Sequence, residues 1–387
     1  MAVITGWAHT KFGKLQERTV QDLIAEVAID AMKHAEVEAK DIDAIYVGNF
    51  NGGFNEQDFA ASLVSLADDA LRYTPSTRVE NACATGSAAI HQAINAIDAN
   101  KAGTVLVVGV EKMTEVSTRE AGDLLLRCSY HQEEAGIDGG FAGVFGQLAQ
   151  SYFQKYGDQS EALAKIAAKN HANGMHNPYA QMQRDFGFEF CNTVSEKNPI
   201  VAGPLRRTDC SLITDGAAAM VLSNMDRAWS APRAIGFRAA TQVNDYLPLS
   251  RRDKTELAGA SNAWNKALGD SGLTLDDLSL VETHDCFTIA ELMEYEAMGL
   301  VEKGQGHRAI DEGIVAKDGK LPINASGGLK SKGHPIGATG VSMHAISCMQ
   351  LMGEAGDMQI DNAKLAGIFN MGGSSVANYV SILERLR

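Results

Sequence analysis

Arg78-Val-Glu-Asn-Ala-Cys-Ala-Thr-Gly-Ser-Ala-Ala-Ile90 decides the fold of this chain. A short extended start reaches Cys83, and an Ala-rich helix then runs to about Ala99. Thr104-Val-Leu-Val-Val-Gly-Val110 comes next as a continuous apolar run, the pattern of a strand buried on both faces. Further out, Ala2–Gly6 and Ile42–Val47 read as strands, and Val20–Glu36 as a helix with one apolar face. Strands of this kind alternating with helices imply a largely parallel α/β sheet.

The second half repeats the order. A helix over Leu257–Gly269 leads to Asp276-Asp-Leu-Ser-Leu-Val-Glu-Thr283, as the first helix leads to Asp41-Ile-Asp-Ala-Ile-Tyr-Val-Gly48. Ala338-Thr-Gly340 matches Ala84-Thr-Gly86, and each tripeptide opens an apolar helix of small residues. Each helix is followed by an apolar strand, Thr104–Val110 and Leu365–Asn370. The shared order predicts a duplicated α/β unit. Residues 118 to about 205 differ in composition and read as an insertion over the first half, with one helix at Ser160–His171. Ala217–Leu222 then reads as the last strand of that half. The expected organisation is residues 1–117 with 206–229, an inserted 118–205, and 230–387.

Composition narrows the function classes. The chain has 387 residues, 34 Lys+Arg against 48 Asp+Glu, and a formal net charge of −14. An apolar content of 45% is enough to build a folded core, so disorder is excluded. A pI near 5.2 gives no basic footprint for nucleic acid or for an anionic membrane. The longest apolar runs are strand length, far below the roughly 20 residues that cross a bilayer. The start, Met-Ala-Val-Ile-Thr-Gly-Trp7, lacks the features of a secretory leader. Cysteines at 83, 128, 191, 210, 286 and 348 show no CxxC pair, so reduced thiols in a cytoplasm are expected, with no metal site.

Four stretches could carry chemistry. Cys83 sits where a strand feeds a helix N-terminus, which should lower its pKa and make it a nucleophile. The plain alternative is a buried structural Cys. His334 lies in Gly327-Gly-Leu-Lys-Ser-Lys-Gly-His-Pro-Ile-Gly-Ala-Thr-Gly340, a constrained loop that can fix an imidazole as base or oxyanion donor. A solvent-facing His or a phosphate-binding Gly turn are the alternatives, although neither a Walker nor a dinucleotide spacing is present. Thr283-His-Asp-Cys-Phe287 puts His284 and Cys286 two apart, so an extended segment can aim both one way. Metal binding or a simple turn competes there. Phe369-Asn-Met-Gly-Gly-Ser-Ser375 ends a strand in a Gly-Gly turn whose N–H groups could cradle an anion. His344 with Cys348, His91 and the Met-rich run to Met352 read as core, and Asp68-Asp69 and Glu133-Glu134 as solvated surface.

Together these motifs resemble the thiolase superfamily, closest to its sterol-carrier-protein-2 type. Val79-Glu-Asn-Ala-Cys83-Ala-Thr-Gly is similar to the family's nucleophile loop, and Lys332-Gly-His-Pro-Ile-Gly-Ala-Thr-Gly340 to its Gly-His-Pro motif. His284-Asp-Cys-Phe287 is similar to the subgroup's His-Asp-Cys-Phe, where other thiolases carry Asn-Glu-Ala-Phe. Ile4-Thr-Gly-Trp-Ala-His-Thr-Lys-Phe-Gly-Lys14 and Asp209-Cys-Ser-Leu-Ile-Thr-Asp-Gly-Ala217 extend the likeness along the chain.

The resemblance implies an α/β fold of five layers, αβαβα, from two duplicated halves with an inserted loop domain. It implies a homodimer or homotetramer and ping-pong acyl-CoA chemistry with CoA thioesters as substrates and no cofactor. Carried over, Cys83 takes the acyl group, and His334 activates it and helps form an oxyanion hole. His284 contributes to that hole, and Cys286 moves the α-carbon proton. Backbone N–H groups of Cys83 and Gly372 form the other hole, and Ser211 contacts pantetheine. Most thiolases place a second Cys where this chain has Asn370, so Cys286 must assume that proton transfer. The end at Arg387 leads to the expectation that no fused lipid carrier follows.

The expected function is therefore a 3-oxoacyl-CoA acyltransferase. Three other readings remain: a decarboxylating condensing enzyme using Cys83, His284 and His334; a thiolase-like subunit needing a small accessory partner; and an acyl-CoA or lipid-binding protein on a dead scaffold. A decarboxylating condensation needs no second thiol, so Cys286 separates it from the first.

Overall fold

The strands expected from the apolar runs all form, and the strand order exposes the duplication. Ile200–Ala202, Leu205–Arg206, Ile235–Asn244 and Ala377–Arg385 are further strands that were not anticipated. The main sheet is mixed instead of largely parallel, with only three parallel pairs, because direct neighbours across the middle run antiparallel. The computed structural model describes residues 1–387. The first half supplies β1 (Ala2–His9), β2 (Ala44–Gly48), β3 (Ser76–Val79) and β4 (Thr104–Glu111). A small separate hairpin, β5 (Ile200–Ala202) with β6 (Leu205–Arg206), precedes β7 (Gly216–Asn224). The second half supplies β8 (Ile235–Asn244), β9 (Leu280–Glu282), β10 (Leu365–Gly372) and β11 (Ala377–Arg385).

The nine long-range strands run β3-β2-β4-β7-β1-β8-β11-β10-β9. Outward from the β1–β8 seam, one half reads β1-β7-β4-β2-β3 and the other β8-β11-β10-β9. The pairing senses agree as well: the first two pairs on each side are antiparallel, and the next is parallel. Ile323 bridges Val281 in parallel and stands where a fifth strand would be. The seam itself is short, pairing Val3 with Gly236 and Ile4 with Ile235.

Strand alternation sends apolar residues to two sides. Leu106, Val108 and Val110 of β4 join the core under the helix Val20–His34, whereas Val105 and Val107 join the main core with Ile90 and Ala93. The helices Thr85–Asp98 and Ile336–Met352 form the middle layer, and Ala258–Ser271 covers β8 and β11 from outside. Apart from Met352, every residue of Ile336–Met352 is buried, as a helix apolar on all sides requires.

Two local expectations change. Residues 118–205 hold five helices, Thr118–Leu125, His131–Glu134, Phe141–Tyr156, Ser160–Gly174 and Gly187–Asn192, not one. Gly143 and Gly146 masked Phe141–Tyr156 in the sequence. Both are packing positions, since a Cβ on Gly146 would lie 3.0 Å from the Ala202 backbone. Glu134 is buried, not solvated. Its carboxylate accepts from the Leu249 N–H at 2.7 Å and the Tyr130 N–H at 3.2 Å, tying the inserted segment to the second half. No helix is long and apolar enough to cross a membrane.

Candidate active site

The chain turns sharply between β3 and the helix Thr85–Asp98, and Cys83 sits in that turn. Ala82 holds φ +50°, a left-handed conformation that costs an alanine energy and is kept by its surroundings. Those surroundings are local. Thr85 Oγ1 accepts from the Asn81 N–H at 2.8 Å, and the Ala84 and Thr85 N–H groups return to Asn81 and Ala82 at 3.1 Å. Cys83 is only 2% exposed and joins a small apolar cluster with Phe54, Met113, Ala121, Leu124 and Ile336.

That cluster reverses one expectation. Burial pushes the Cys83 thiol up to about 12, and the Glu111 and Glu80 carboxylates add to the rise. A hydrogen bond from the Gly373 N–H pulls the other way and loses. The helix terminus was expected to win, but desolvating a thiolate in apolar surroundings costs more than one turn of helix returns. The resting sulfur is therefore a thiol.

His334 lies between Gly333, at φ +116°, and Pro335, the residue before the helix Ile336–Met352. Its own N–H donates to Thr214 Oγ1 at 3.0 Å. Its Nδ1 is 2.7 Å from Thr339 Oγ1, and the Thr339 hydroxyl donates to the Pro335 carbonyl at 3.1 Å. With the hydroxyl hydrogen so placed, Thr339 accepts from Nδ1–H, and the bare lone pair is on Nε2. Burial, with the Lys332 ammonium, holds this imidazole neutral, its pKa down to about 3.

His284 follows β9. Asn370 Nδ2 lies 2.9 Å from His284 Nδ1 and donates to the Cys83 carbonyl at 3.1 Å. Asn370 Oδ1 accepts from Ser87 Oγ at 2.8 Å. Burial also drives the His284 pKa well below its usual value, with the neighbouring His334 adding to the shift. The two rings stand edge to face, centroids 5.0 Å apart. Donor atoms of Cys83, His284 and His334 all lie within 4.8 Å of one another. Neither Nε2 has a hydrogen-bond partner, although both are buried.

Cys286 is buried nearby. Burial raises its thiol pKa far above the usual range, and charge on Cys83, Glu294 and Asp285 would raise it further. Its carbonyl accepts from the Ser211 N–H at 2.9 Å, which places Ser211 beside this loop. Phe287 stacks on Phe145 of the inserted segment at 4.4 Å. Gly372 ends β10, and its carbonyl accepts from Val376 N–H at 3.0 Å. A Cβ there would lie 2.5 Å from the Asn81 carbonyl, so the nucleophile turn and the Gly-Gly turn touch.

Sequence reasoning missed the supports. Asp285 accepts from Leu329 N–H at 2.6 Å, Lys330 N–H at 3.1 Å and Asn170 Nδ2 at 2.8 Å, clamping the His284 loop to the His334 loop. Glu294 accepts from Thr283 Oγ1 at 2.5 Å and from the His284 N–H. Asn370 had a readable signal, as one polar residue inside the apolar run Leu365–Met371. Thr339 had another, as the polar member of a repeated tripeptide. His344 with Cys348 is core: His344 bonds Gly340 O at 2.7 Å and Ser381 Oγ at 2.9 Å.

A family model for the thiolase N-terminal domain matches residues 2–226, and one described as thiolase C-terminal domain-like matches 240–385. The chain belongs to the thiolase family. By class this thiolase is an acyltransferase. It is 38% identical over 388 residues to the acetyl-CoA acetyltransferase of Methanothermobacter thermautotrophicus, covering 99% of both chains. It is 34% identical to human sterol carrier protein 2, covering 95% of this chain and 69% of that one. The solved Ltp2–ChsH2(DUF35) aldolase shares the fold, with TM-score 0.82 at 20% identity over 100% of this chain and 98% of that one.

Proposed function

We propose that this thiolase cleaves or forms 3-oxoacyl-CoA by ping-pong chemistry through an acyl-Cys83 intermediate. The carrying observation is one buried thiol within reach of two neutral imidazoles, neither of whose buried Nε2 atoms has a hydrogen-bond partner. His334 Nε2 takes the thiol proton as Cys83 Sγ attacks the thioester carbonyl. The C–S bond to CoA breaks, the leaving CoA thiolate takes the Cys286 proton, and His334 keeps the proton of Cys83. Backbone N–H groups of Cys83 and Gly372 receive the oxyanion of this step, and the Gly373 N–H approaches the same sulfur.

In the second half-reaction the Cys286 thiolate, left when the departing CoA took its proton, removes an α-proton from a second acyl-CoA and becomes a thiol again. His334, protonated on Nε2 by the Cys83 proton, and the His284 Nε2–H hold the resulting enolate oxygen. The carbanion attacks acyl-Cys83, a C–C bond forms, the C–S bond to Cys83 breaks, and the Cys83 thiolate takes its proton back from His334. Ser211 contacts the pantetheine arm. The reaction needs no cofactor.

The wall of Phe54, Met113 and Leu124 around Cys83 favours a short acyl group, in keeping with the acetyl-CoA acetyltransferase relative. β3 is the sheet edge, with exposed Phe59, Leu66 and Tyr73 nearby, which supports a homo-oligomer. The aldolase neighbour is solved with ChsH2(DUF35), which supports a small accessory subunit for this chain too. Six free cysteines support a reducing cytoplasm.

The test is intact mass after brief exposure to acetyl-CoA. Wild type and Cys286→Ala gain one acetyl group, and Cys83→Ala gains none. A protein that no acyl-CoA acylates overturns the stand-alone reading.

A further inference from the structure

Three groups that could chelate a metal meet at this site, and one hydrogen bond argues that they do not. Zinc takes Cys thiolate and the lone pair of a neutral imidazole, and a ligating His normally donates its other N–H to an acceptor. His334 satisfies that rule, donating Nδ1–H to Thr339. His284 does the reverse, because an amide nitrogen only donates. The orientation of Asn370 is fixed independently of His284. Its Nδ2 faces the Cys83 carbonyl, which only accepts, and its Oδ1 faces Ser87 Oγ. His284 Nδ1 must therefore accept, and the ring proton is on Nε2, facing Cys83 and His334.

We propose that Asn370 is the positioning residue that holds His284 as its Nε2–H tautomer, so that the cluster offers one N–H donor and one base instead of three metal ligands. The choice has a chemical consequence. A second bare Nε2 could not stabilise an oxyanion, and with Cys83 it would complete a thiophilic cation site that blocks the nucleophile. Asn370 thus does more than fill the position where most thiolases carry a cysteine. It sets the polarity of the neighbouring ring.

The donor function rests on the acyl-transfer reading above, but the tautomer does not. The groups facing the His284 ring or its loop are His334 and Cys83, with Cys286 and Asp285 next in sequence and Glu294 on its backbone. None supplies an acceptor for Nδ1.

The direct test is ¹⁵N-histidine NMR of the untagged wild type, with His284 assigned through His284→Gln. We expect His284 protonated on Nε2 and His334 on Nδ1. A His284 signal with the proton on Nδ1 overturns the proposal. The second test uses Asn370→Asp, nearly the same size with two acceptor oxygens. Its carboxylate takes Nδ1–H, so Nε2 keeps a proton only while the ring is an imidazolium. Acetyl transfer by this variant should survive on the acid side and fall by about 100-fold as pH rises, the loss of one oxyanion donor. Wild type should show no such fall over that range. On the alkaline side Asn370→Asp should bind Co²⁺ with a thiolate charge-transfer band. Binding breaks the Cys83 S–H bond, releases its proton to solvent and displaces metal-bound water. The band should vanish in Asn370→Asp combined with Cys83→Ser or His334→Ala and persist with Cys128→Ala.

Equal Co²⁺ affinity of wild type and Asn370→Asp, or a parallel pH profile, defeats the proposal. If Asn370→Asp does not fold, the wild-type tautomer alone decides. If wild type lacks acetyl transfer altogether, the functional reading fails while the NMR result still judges Asn370.

Discussion

Ala84-Thr-Gly86 and Ala338-Thr-Gly340 open matching helices in matching halves, yet their threonines do different work. Thr85 Oγ1 caps the Asn81 N–H and so shapes the turn that carries Cys83. Thr339 Oγ1 takes the His334 ring proton and so makes that ring a base. The glycines, by contrast, do the same work on both sides. A Cβ on Gly86 would lie 2.8 Å from Val341 N and 2.9 Å from Gly340 N. A Cβ on Gly340 would strike Ser87 N and Asn370 Oδ1. Duplication thus conserves the crossing of two helices, and the side chains around it diverge into nucleophile on one side and base on the other.

This contrast can be broken from either half. Thr339→Val removes the acceptor of the His334 Nδ1–H. Its kcat for acetyl transfer should fall by about 100-fold, at the low end of what a positioned base contributes, with the thermal midpoint little changed. A kcat near wild type would show that Thr339 does not set the tautomer. Gly340→Ala should destabilise by about 1–3 kcal/mol through overpacking, read by urea denaturation. Gly86→Ala should cost less, because its Cβ meets backbone at longer range, and the reverse order would refute the crossing geometry.

Thr85→Val leaves a half-buried N–H without its acceptor, a loss of about 1 kcal/mol. Its kcat should suffer less than that of Thr339→Val, and an equal or larger loss would erase the distinction drawn here.

The smallest effect sharpens the comparison through pH. Burial holds His344 of the second helix neutral, its pKa lowered from 6.5 to about 4. The unfolded chain binds that proton first, so the contribution is full above about 6.5 and fades as pH falls towards 4. The gap in urea midpoint between wild type and His344→Gln should therefore narrow as pH drops through that window. A gap that widens would mean that the ring is charged in the fold.

The strand runs were legible because burial on both faces leaves no polar alternation, and the repeat showed through the Ala-Thr-Gly pairs. The Phe141–Tyr156 helix was not, because Gly143 and Gly146 lower helix propensity, while Gly143 serves contact with the preceding turn at Ile137–Asp138 and Gly146 with distant Ala202. Cys83, His334, His284 and Cys286 were each visible as residue types on constrained turns. Of their supports, Asn370 showed only as a lone polar residue in an apolar run, and Asp285 and Glu294 gave no sign of their role, since a buried polar residue shows its purpose only through its partners.

The sequence by itself determined the fold, the family and the identity of the reactive side chains, because apolar periodicity and turn residues are local properties. The tertiary structure alone decided their protonation. Burial from surrounding elements keeps Cys83 a thiol and both rings neutral. Thr339 and Asn370, reaching from different elements, give those rings opposite tautomers. Protonation depends on desolvation and on hydrogen-bond partners across the fold, and neither can be read from neighbours along the chain.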